Sequence, residues 1–95
     1  MKKGEAAYVQ GDPADAVFYV QKGQLRVTVF SSKGKEATIS LAGPGEFLGE
    51  NCLLSHHPIR LATAKAMAEC VLLKISKAEM LRVLHDQPAI SDMFL

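Results

Sequence analysis

Residues 25–41, LRVTVFSSKGKEATISL, decide the fold class of this 95-residue chain. Apolar side chains occupy every second position on both sides of residues 31–34: Leu25, Val27 and Val29, then Ala37, Ile39 and Leu41. A period of two is typical of β-strands, because successive side chains of a strand point to opposite faces. Ser-Ser-Lys-Gly at residues 31–34 favours a tight turn. The stretch therefore predicts two antiparallel strands joined by a hairpin.

Further strands are predicted on either side of this hairpin. We expect them at residues 5–10, 16–21, 60–67 and 69–75, with turns at Gly11-Asp12-Pro13 and Gly43-Pro44-Gly45. Glycine and proline mark turns, and all seven glycines lie within the first 49 residues. Short strands at such regular spacing indicate a β-sandwich or barrel rather than a βαβ fold. We expect about eight antiparallel strands between Glu5 and Ile75.

The period changes after Ile75. Ser76-Lys77-Ala78-Glu79 is a capping box, and an apolar stripe at helical spacing follows it from Met80 to Leu84. Asp86-Gln87-Pro88 predicts the end of this helix, and Pro88 is suited to open a second one. The chain stops on Met93-Phe94-Leu95 without a C-cap, so we expect residues 76–95 to be truncated helices of a longer protein.

Composition limits what the chain does. Ninety-five residues predict a single domain over residues 1–95. Eleven Lys and Arg against ten Asp and Glu give a net charge of +1, which argues against DNA binding by this chain itself. No apolar run approaches the roughly 18 residues of a membrane helix, so we expect no membrane partner. The two cysteines, Cys52 and Cys70, predict a reducing cytoplasm rather than a disulfide framework.

The densest chemical signal lies in residues 43–66. If the strand after Arg60 turns that arginine inward, alternation also turns Ala62, Ala64 and Ala66 inward, leaving one guanidinium beside unfilled volume. A buried arginine needs a partner, because an unpaired interior charge is costly. A phosphate anion held by the planar fork is one partner, an internal pair with Glu50 is another, and an exposed arginine is the third reading.

Metal and catalytic readings of the same region are weaker. Cys52, His56 and His57 form Cys-x3-His-His, but structural zinc takes four ligands and no second cluster is near in sequence. We therefore expect a solvated loop and no metal. No third group orients a Cys52–His pair for nucleophilic catalysis, so we expect no enzyme.

Motifs along nearly the whole chain resemble the cyclic nucleotide-binding domain of the Crp–Fnr class of bacterial transcription regulators. The order and spacing of these motifs are more specific than any one of them. They are Lys3-Gly4-Glu5, Gly11-Asp12-Pro13-Ala14-Asp15, Phe18-Tyr19-Val20 leading to Gly23, Gly34-Lys35-Glu36, Gly43-Pro44-Gly45-Glu46-Phe47, and a phosphate-binding cassette from Phe47-Leu48-Gly49-Glu50 to Arg60-Leu61-Ala62. The resemblance implies a mostly β, double-stranded β-helix (jelly-roll) barrel with a short cassette helix and C-terminal helices.

The resemblance also implies a ligand-binding site within the cassette for a cyclic nucleotide, cAMP or cGMP. Glu50 would accept the ribose 2′-hydroxyl, and Arg60 would pair with the cyclic phosphate. Backbone N–H groups of the cassette turn would face the ligand, an arrangement that suits an anion. The implied site comprises Gly49, Glu50, Asn51, Cys52, Arg60, Leu61 and Ala62. Two positions depart from the family pattern: Leu61 stands where Ser, Thr or Ala is typical, and Asn51 replaces an aliphatic residue.

We therefore expect a sensory module that binds a small effector and allosterically controls DNA binding by a helix-turn-helix domain outside this chain. The resemblance implies a homodimer for the full-length regulator. One alternative, favoured by Leu61, is a degenerate domain that binds another effector or none and acts as a structural or interaction module. A second alternative is a regulatory domain attached to an enzyme or a channel.

Overall fold

The computed structural model describes residues 1–50, 53 and 59–86. These residues contain seven strands followed by one helix. They are β1 (Ala6–Tyr8), β2 (Ala16–Lys22), β3 (Leu25–Phe30), β4 (Glu36–Ala42), β5 (Phe47–Leu48), β6 (Thr63–Ala66), β7 (Val71–Ser76) and α1 (Lys77–Asp86). The chain is therefore mostly β, as the alternating pattern predicts.

The strands form two antiparallel sheets. One sheet has the order β1-β6-β3-β4 and the other the order β5-β2-β7. The predicted hairpin supplies β3 and β4, and β3 also pairs with β6, placing Val27 opposite Ala64. Apart from this hairpin, most pairings join strands that are distant in sequence: β1 and β3 both pair with β6, and β2 pairs with β7. Long-range pairing of this kind is typical of sandwiches and barrels and is absent from simple meanders.

Two groups of buried side chains hold the sheets together. The main core contains ten residues: Phe18, Val20, Leu25, Val27, Ala42, Leu48, Ala62, Ala64, Ala66 and Cys70. A second, smaller core contains Ala14, Val17 and Met80, with Phe47, Leu53, Ile75 and Leu84 packed against it. Cys70 is a free cysteine in the main core, in agreement with its interpretation as a small hydrophobe.

The strands agree with the predicted positions except near the cassette. β6 begins at Thr63 rather than Arg60, because the Arg60 backbone is bonded elsewhere: its N–H donates to the Asp12 carbonyl and its carbonyl accepts from Gly11. β5 was not predicted, since its two residues carry no periodicity of their own. About eight strands were expected, and the described residues contain seven. Glu50 and Leu53 show 3₁₀ geometry, whereas the helix expected from Pro88 lies outside the described residues.

One apolar face is left open to solvent. Ile39 and Leu41 of β4 remain 59% and 48% exposed, although their spacing is that of a half-buried strand. No described element covers them in this chain, and both side chains border the cavity discussed below. The exposed apolar face of β4 therefore belongs to the candidate site rather than to the core.

Helix α1 begins where the capping box predicts. The Ser76 hydroxyl accepts a hydrogen bond from the Glu79 N–H at 3.2 Å, which satisfies one of the free N–H groups of the first turn. Met80 is the one fully buried residue of the helix, and it anchors α1 against β2 and β7. No helix among the described residues has the length and apolar character needed to cross a membrane.

Ser76→Ala should lower the free energy of unfolding by about 0.5–2 kcal/mol, because the N-cap hydroxyl bond is lost. Chemical denaturation followed by circular dichroism measures the change. Ser76→Asp should retain most of the stability, since aspartate also caps. Ser32→Ala, in the exposed β3–β4 turn, is the matched control and should be neutral. Equal stabilities of Ser76→Ala and Ser32→Ala would show that the cap contributes nothing.

Candidate ligand-binding site

A cavity of about 450 Å³ opens beside the cassette. Its walls come from β3, β4 and β5, from Tyr8 at the end of β1, and from the segment around Arg60. Small-molecule sites commonly occupy about 300–1,000 Å³ and combine an apolar lining with a few polar groups. This lining has that character, because aliphatic side chains of β3 and β4 surround Arg60 and Glu50.

Arg60 is the buried charge of the cavity, at 3% exposed, whereas the two carboxylates of the lining, Glu46 and Glu50, are exposed. Its Nη2 donates to the Ala16 carbonyl at 2.7 Å, and its Nη1 donates to the Gly49 carbonyl at 3.3 Å. Its Nε is buried and has no hydrogen-bond partner in the described structure. Carbonyl partners carry only partial charge, so the guanidinium retains a net positive charge in a poorly solvated place. Such a group favours an anionic ligand.

The backbone fixes Arg60 from both sides. Its N–H donates to the Asp12 carbonyl at 2.7 Å, and its carbonyl accepts from the Gly11 N–H at 2.8 Å. The neighbouring Ile59 forms a bridge with Pro13. The Gly-Asp-Pro turn predicted from sequence therefore has a second role, since it holds the arginine's main chain at the floor of the cavity.

Two aromatic rings flank the guanidinium. The Arg60 Cζ lies 4.3 Å from the centroid of the Tyr8 ring and 5.8 Å from that of Phe18. The two rings also stack on each other, with centroids 6.0 Å apart. Cation–π contact of this kind stabilises a desolvated cation and restricts its position. Burial raises the pKa of the Tyr8 phenol, while the Arg60 charge lowers it and the Glu50 charge raises it, so Tyr8 stays protonated at neutral pH.

Gly49 has a backbone that other residues rarely adopt, with φ at +78°. A Cβ at this position would collide with Arg60 Nη1 and lie 3.2 Å from its Cζ. Glycine is therefore required twice, once for the left-handed backbone and once for the close approach of the guanidinium. The sequence resemblance placed Gly49 in the ligand-binding site, and the structure adds its close contact with Arg60.

Glu50 does not neutralise Arg60. It is exposed, and no carboxylate of the described residues lies within the 4.0 Å ion-pair distance of the guanidinium. Of the three readings of Arg60, the exposed arginine is wrong and the internal Glu50 pair is absent. Arg60, Ala62, Ala64 and Ala66 are buried together, as expected for an inward arginine, and the remaining reading, a phosphate anion as its partner, stays a prediction.

Five of the seven residues expected at the site line this cavity: Gly49, Glu50, Arg60, Leu61 and Ala62. Leu61 is 62% exposed at the cavity rim. The other two, Asn51 and Cys52, lie outside the described residues, as does the metal hypothesis for Cys52, His56 and His57. Among residues 1–50, 53 and 59–86, no group of three or more His, Cys, Asp or Glu side chains is arranged to hold a metal.

Sequence reasoning missed the aromatic contribution to the site. Tyr8 and Phe18 lie far from Arg60 in sequence, and each reads locally as an ordinary strand residue. Only the pairing of β1 with β6 and of β2 with its partners brings their rings to the arginine. The sequence offered only a weak signal for this contact: Tyr8 is an aromatic residue shortly before the Gly11 turn, and that turn holds the Arg60 backbone.

Comparison with known sequences identifies the family. The family model described as "Cyclic nucleotide-binding domain" matches residues 1–87. The chain therefore belongs to the cyclic nucleotide-binding domain family. The sequence is 32% identical over 89 residues to the Cyclic AMP receptor protein of Thermus thermophilus, covering 94% of this chain and 41% of that protein. It is 30% identical over 81 residues to the cAMP-activated global transcriptional regulator CRP of Salmonella typhimurium, covering 85% of this chain and 39% of that protein.

Comparison with solved structures agrees with the comparison of sequences. The Catabolite Activator Protein of Thermus thermophilus superposes with a TM-score of 0.87 at 30% identity, covering 97% of this chain and 43% of that one. This likeness confirms the predicted jelly-roll fold. The chain spans about two fifths of the length of the curated relatives it matches.

Gly49→Ala should destabilise the fold by more than Gly45→Ala. Both glycines have positive φ, at +78° and +88°, so both variants incur a backbone strain of about 1–2 kcal/mol. A Cβ at position 45 meets nothing within 4 Å, whereas one at position 49 meets Arg60. Urea unfolding of the two variants isolates the contribution of that contact. Equal losses of stability would mean that the guanidinium moves aside without cost.

Proposed function

We propose that this chain is the effector-sensing domain of a Crp-type bacterial transcription regulator and that its cavity binds a cyclic nucleotide. The buried guanidinium of Arg60 carries the proposal. It faces an open cavity, two of its nitrogens are bonded only to carbonyls, and no described carboxylate neutralises it. The cyclic phosphate of a nucleotide supplies the missing negative charge and matches the planar fork.

The rest of the cavity accommodates the rest of such a ligand. Glu50 is exposed on the same cavity wall, where its carboxylate can accept ribose hydroxyls. Gly49 lines the same cavity, and its missing Cβ leaves room for the guanidinium that would hold the phosphate. The exposed aliphatic side chains of Ile39, Leu41 and Leu61 offer an apolar surface to the flat face of a base.

The output of this sensor is transcription, by analogy with the named relatives. We propose that DNA binding is performed by a separate domain of the full-length regulator, a homodimer acting in the cytoplasm, and that this chain has no catalytic role. The small second core offers the route for a signal, because Phe47 and Leu53 beside the cassette pack against the cluster that contains Met80 of α1. An effector that binds one packing of this cluster more tightly than another shifts the population between them.

Titration calorimetry with cAMP and cGMP tests the site. We expect one of the two to bind, and Arg60→Ala to weaken binding by about 1.5–3 kcal/mol, or roughly ten- to hundredfold, because a hydrogen-bonded charge is lost. Arg26→Ala, an exposed arginine of β3 on the opposite sheet face, is the matched control and should bind as the parent does.

Glu50→Gln tests the ribose contact without disturbing the core, since Glu50 is exposed. The parent should bind the 2′-deoxy analogue of its nucleotide more weakly than the nucleotide itself. In Glu50→Gln that preference should shrink, whereas the exposed Glu36→Gln should retain it. An unchanged preference in Glu50→Gln would remove Glu50 from the site.

Leu61→Ser should strengthen nucleotide binding by about 1 kcal/mol, because it supplies a hydroxyl near the phosphate. If neither the parent nor Leu61→Ser binds cAMP or cGMP, the proposal is wrong. The chain would then be the degenerate structural or interaction domain that Leu61 favours.

A further inference from the structure

The cavity presents few hydroxyl groups to an anion. Leu61 follows Arg60 directly and has none, so the position next to the guanidinium contributes no side-chain donor. Only Tyr8 and Ser40 of the described cavity lining carry a hydroxyl. A buried anion bound by one guanidinium gains from a second donor, because hydrogen bonds to charged groups are stronger than neutral ones.

Tyr8 is the hydroxyl-bearing residue in contact with the guanidinium. Its ring centroid lies 4.3 Å from Arg60 Cζ, and the ring is held in place by stacking on Phe18. The phenol hydroxyl makes no hydrogen bond within the described residues and is not among their buried unpartnered atoms, so it remains accessible to solvent. A fixed ring with an accessible, unused donor beside a cation is arranged to contact whatever the cation binds.

The surroundings of the Tyr8 phenol keep its hydroxyl protonated. Burial has the largest effect on the pKa of Tyr8; the Arg60 charge lowers that pKa and the Glu50 charge raises it. Burial raises that pKa above its ordinary value, so the hydroxyl keeps its proton, and its capacity to donate, throughout the physiological range.

Resting on the proposed function, we infer that Tyr8 is a ligand-contacting residue whose phenol hydroxyl donates to the anionic group held by Arg60, in place of the hydroxyl that Leu61 lacks. Tyr8 therefore serves the site twice. Its ring positions the guanidinium, and its hydroxyl completes the coordination of the anion.

Tyr8→Phe separates these two roles, because it retains the ring and removes only the hydroxyl. We expect cyclic-nucleotide affinity, measured by calorimetry on the 95-residue chain, to fall about tenfold, with thermal stability unchanged. Tyr19→Phe, which removes a phenol hydroxyl outside the cavity lining, is the matched control and should bind as the parent does. Leu61→Ser should strengthen binding more in the Tyr8→Phe background than in the parent, because only there does the new hydroxyl replace a lost donor; a merely structural role of Tyr8 would give equal gains in the two backgrounds.

The outcomes distinguish this inference from the proposed function. If the parent binds a cyclic nucleotide and Tyr8→Phe binds it equally well, the inference is wrong and the proposed function stands. If the parent binds neither nucleotide, the proposed function fails, and inorganic phosphate added to ¹³C-tyrosine-labelled protein decides the inference. The chain has two tyrosines, so two signals are resolved. A phosphate-dependent shift of Tyr8 but not Tyr19 supports the contact, and no shift of Tyr8 overturns it.

Discussion

The structure depends on the partners of one buried guanidinium. Arg60 is 3% exposed, and removing a charge from water is tolerated only where other groups replace the lost hydration. Here the replacements are two carbonyls and two aromatic rings, contributed by three parts of the chain: Tyr8 of β1, Ala16 and Phe18 of β2, and Gly49 of the cassette. The arginine thereby ties the ends of β1 and β2 to the cassette. Because these partners are dipoles and rings rather than a carboxylate, the positive charge is held but not neutralised.

The fold was predictable where local periodicity and pairing agree. β3 occupies residues 25–30 as its alternation predicts, and the capping box at Ser76 marks the start of α1, because both signals arise within a few residues. Prediction failed where long-range pairing decides the structure. β5 consists of two residues defined only by their bonds to β2. β6 starts late because the Arg60 main chain is bonded to the Gly11–Asp12 turn, which no local pattern reveals.

The charged residue at the centre of the site could be predicted from the sequence, whereas the groups that hold it in place could not. The small residues alternating after Arg60 made an inward guanidinium beside open volume one of the readings left open, and the structure agrees with it. Its partners could not be foreseen, because carbonyl acceptors have no sequence signature: every residue carries one. The aromatic contacts of the guanidinium could not be predicted either, since Tyr8 lies more than fifty positions from Arg60 in sequence and only the completed sheets bring them together.

The division of the interior into two cores has a consequence for how the domain comes apart. Helix α1 is attached through the smaller cluster, in which Met80 packs with Ala14 and Val17, and it contacts β2 and β7 without entering the main core. Detaching the helix exposes only this cluster, so the opening free energy of α1 is a fraction of that of the whole domain. The domain therefore contains two cooperative units of unequal strength. Amide hydrogens of α1 exchange with solvent through partial unfolding, whereas those of the central strand β3 exchange only through global unfolding.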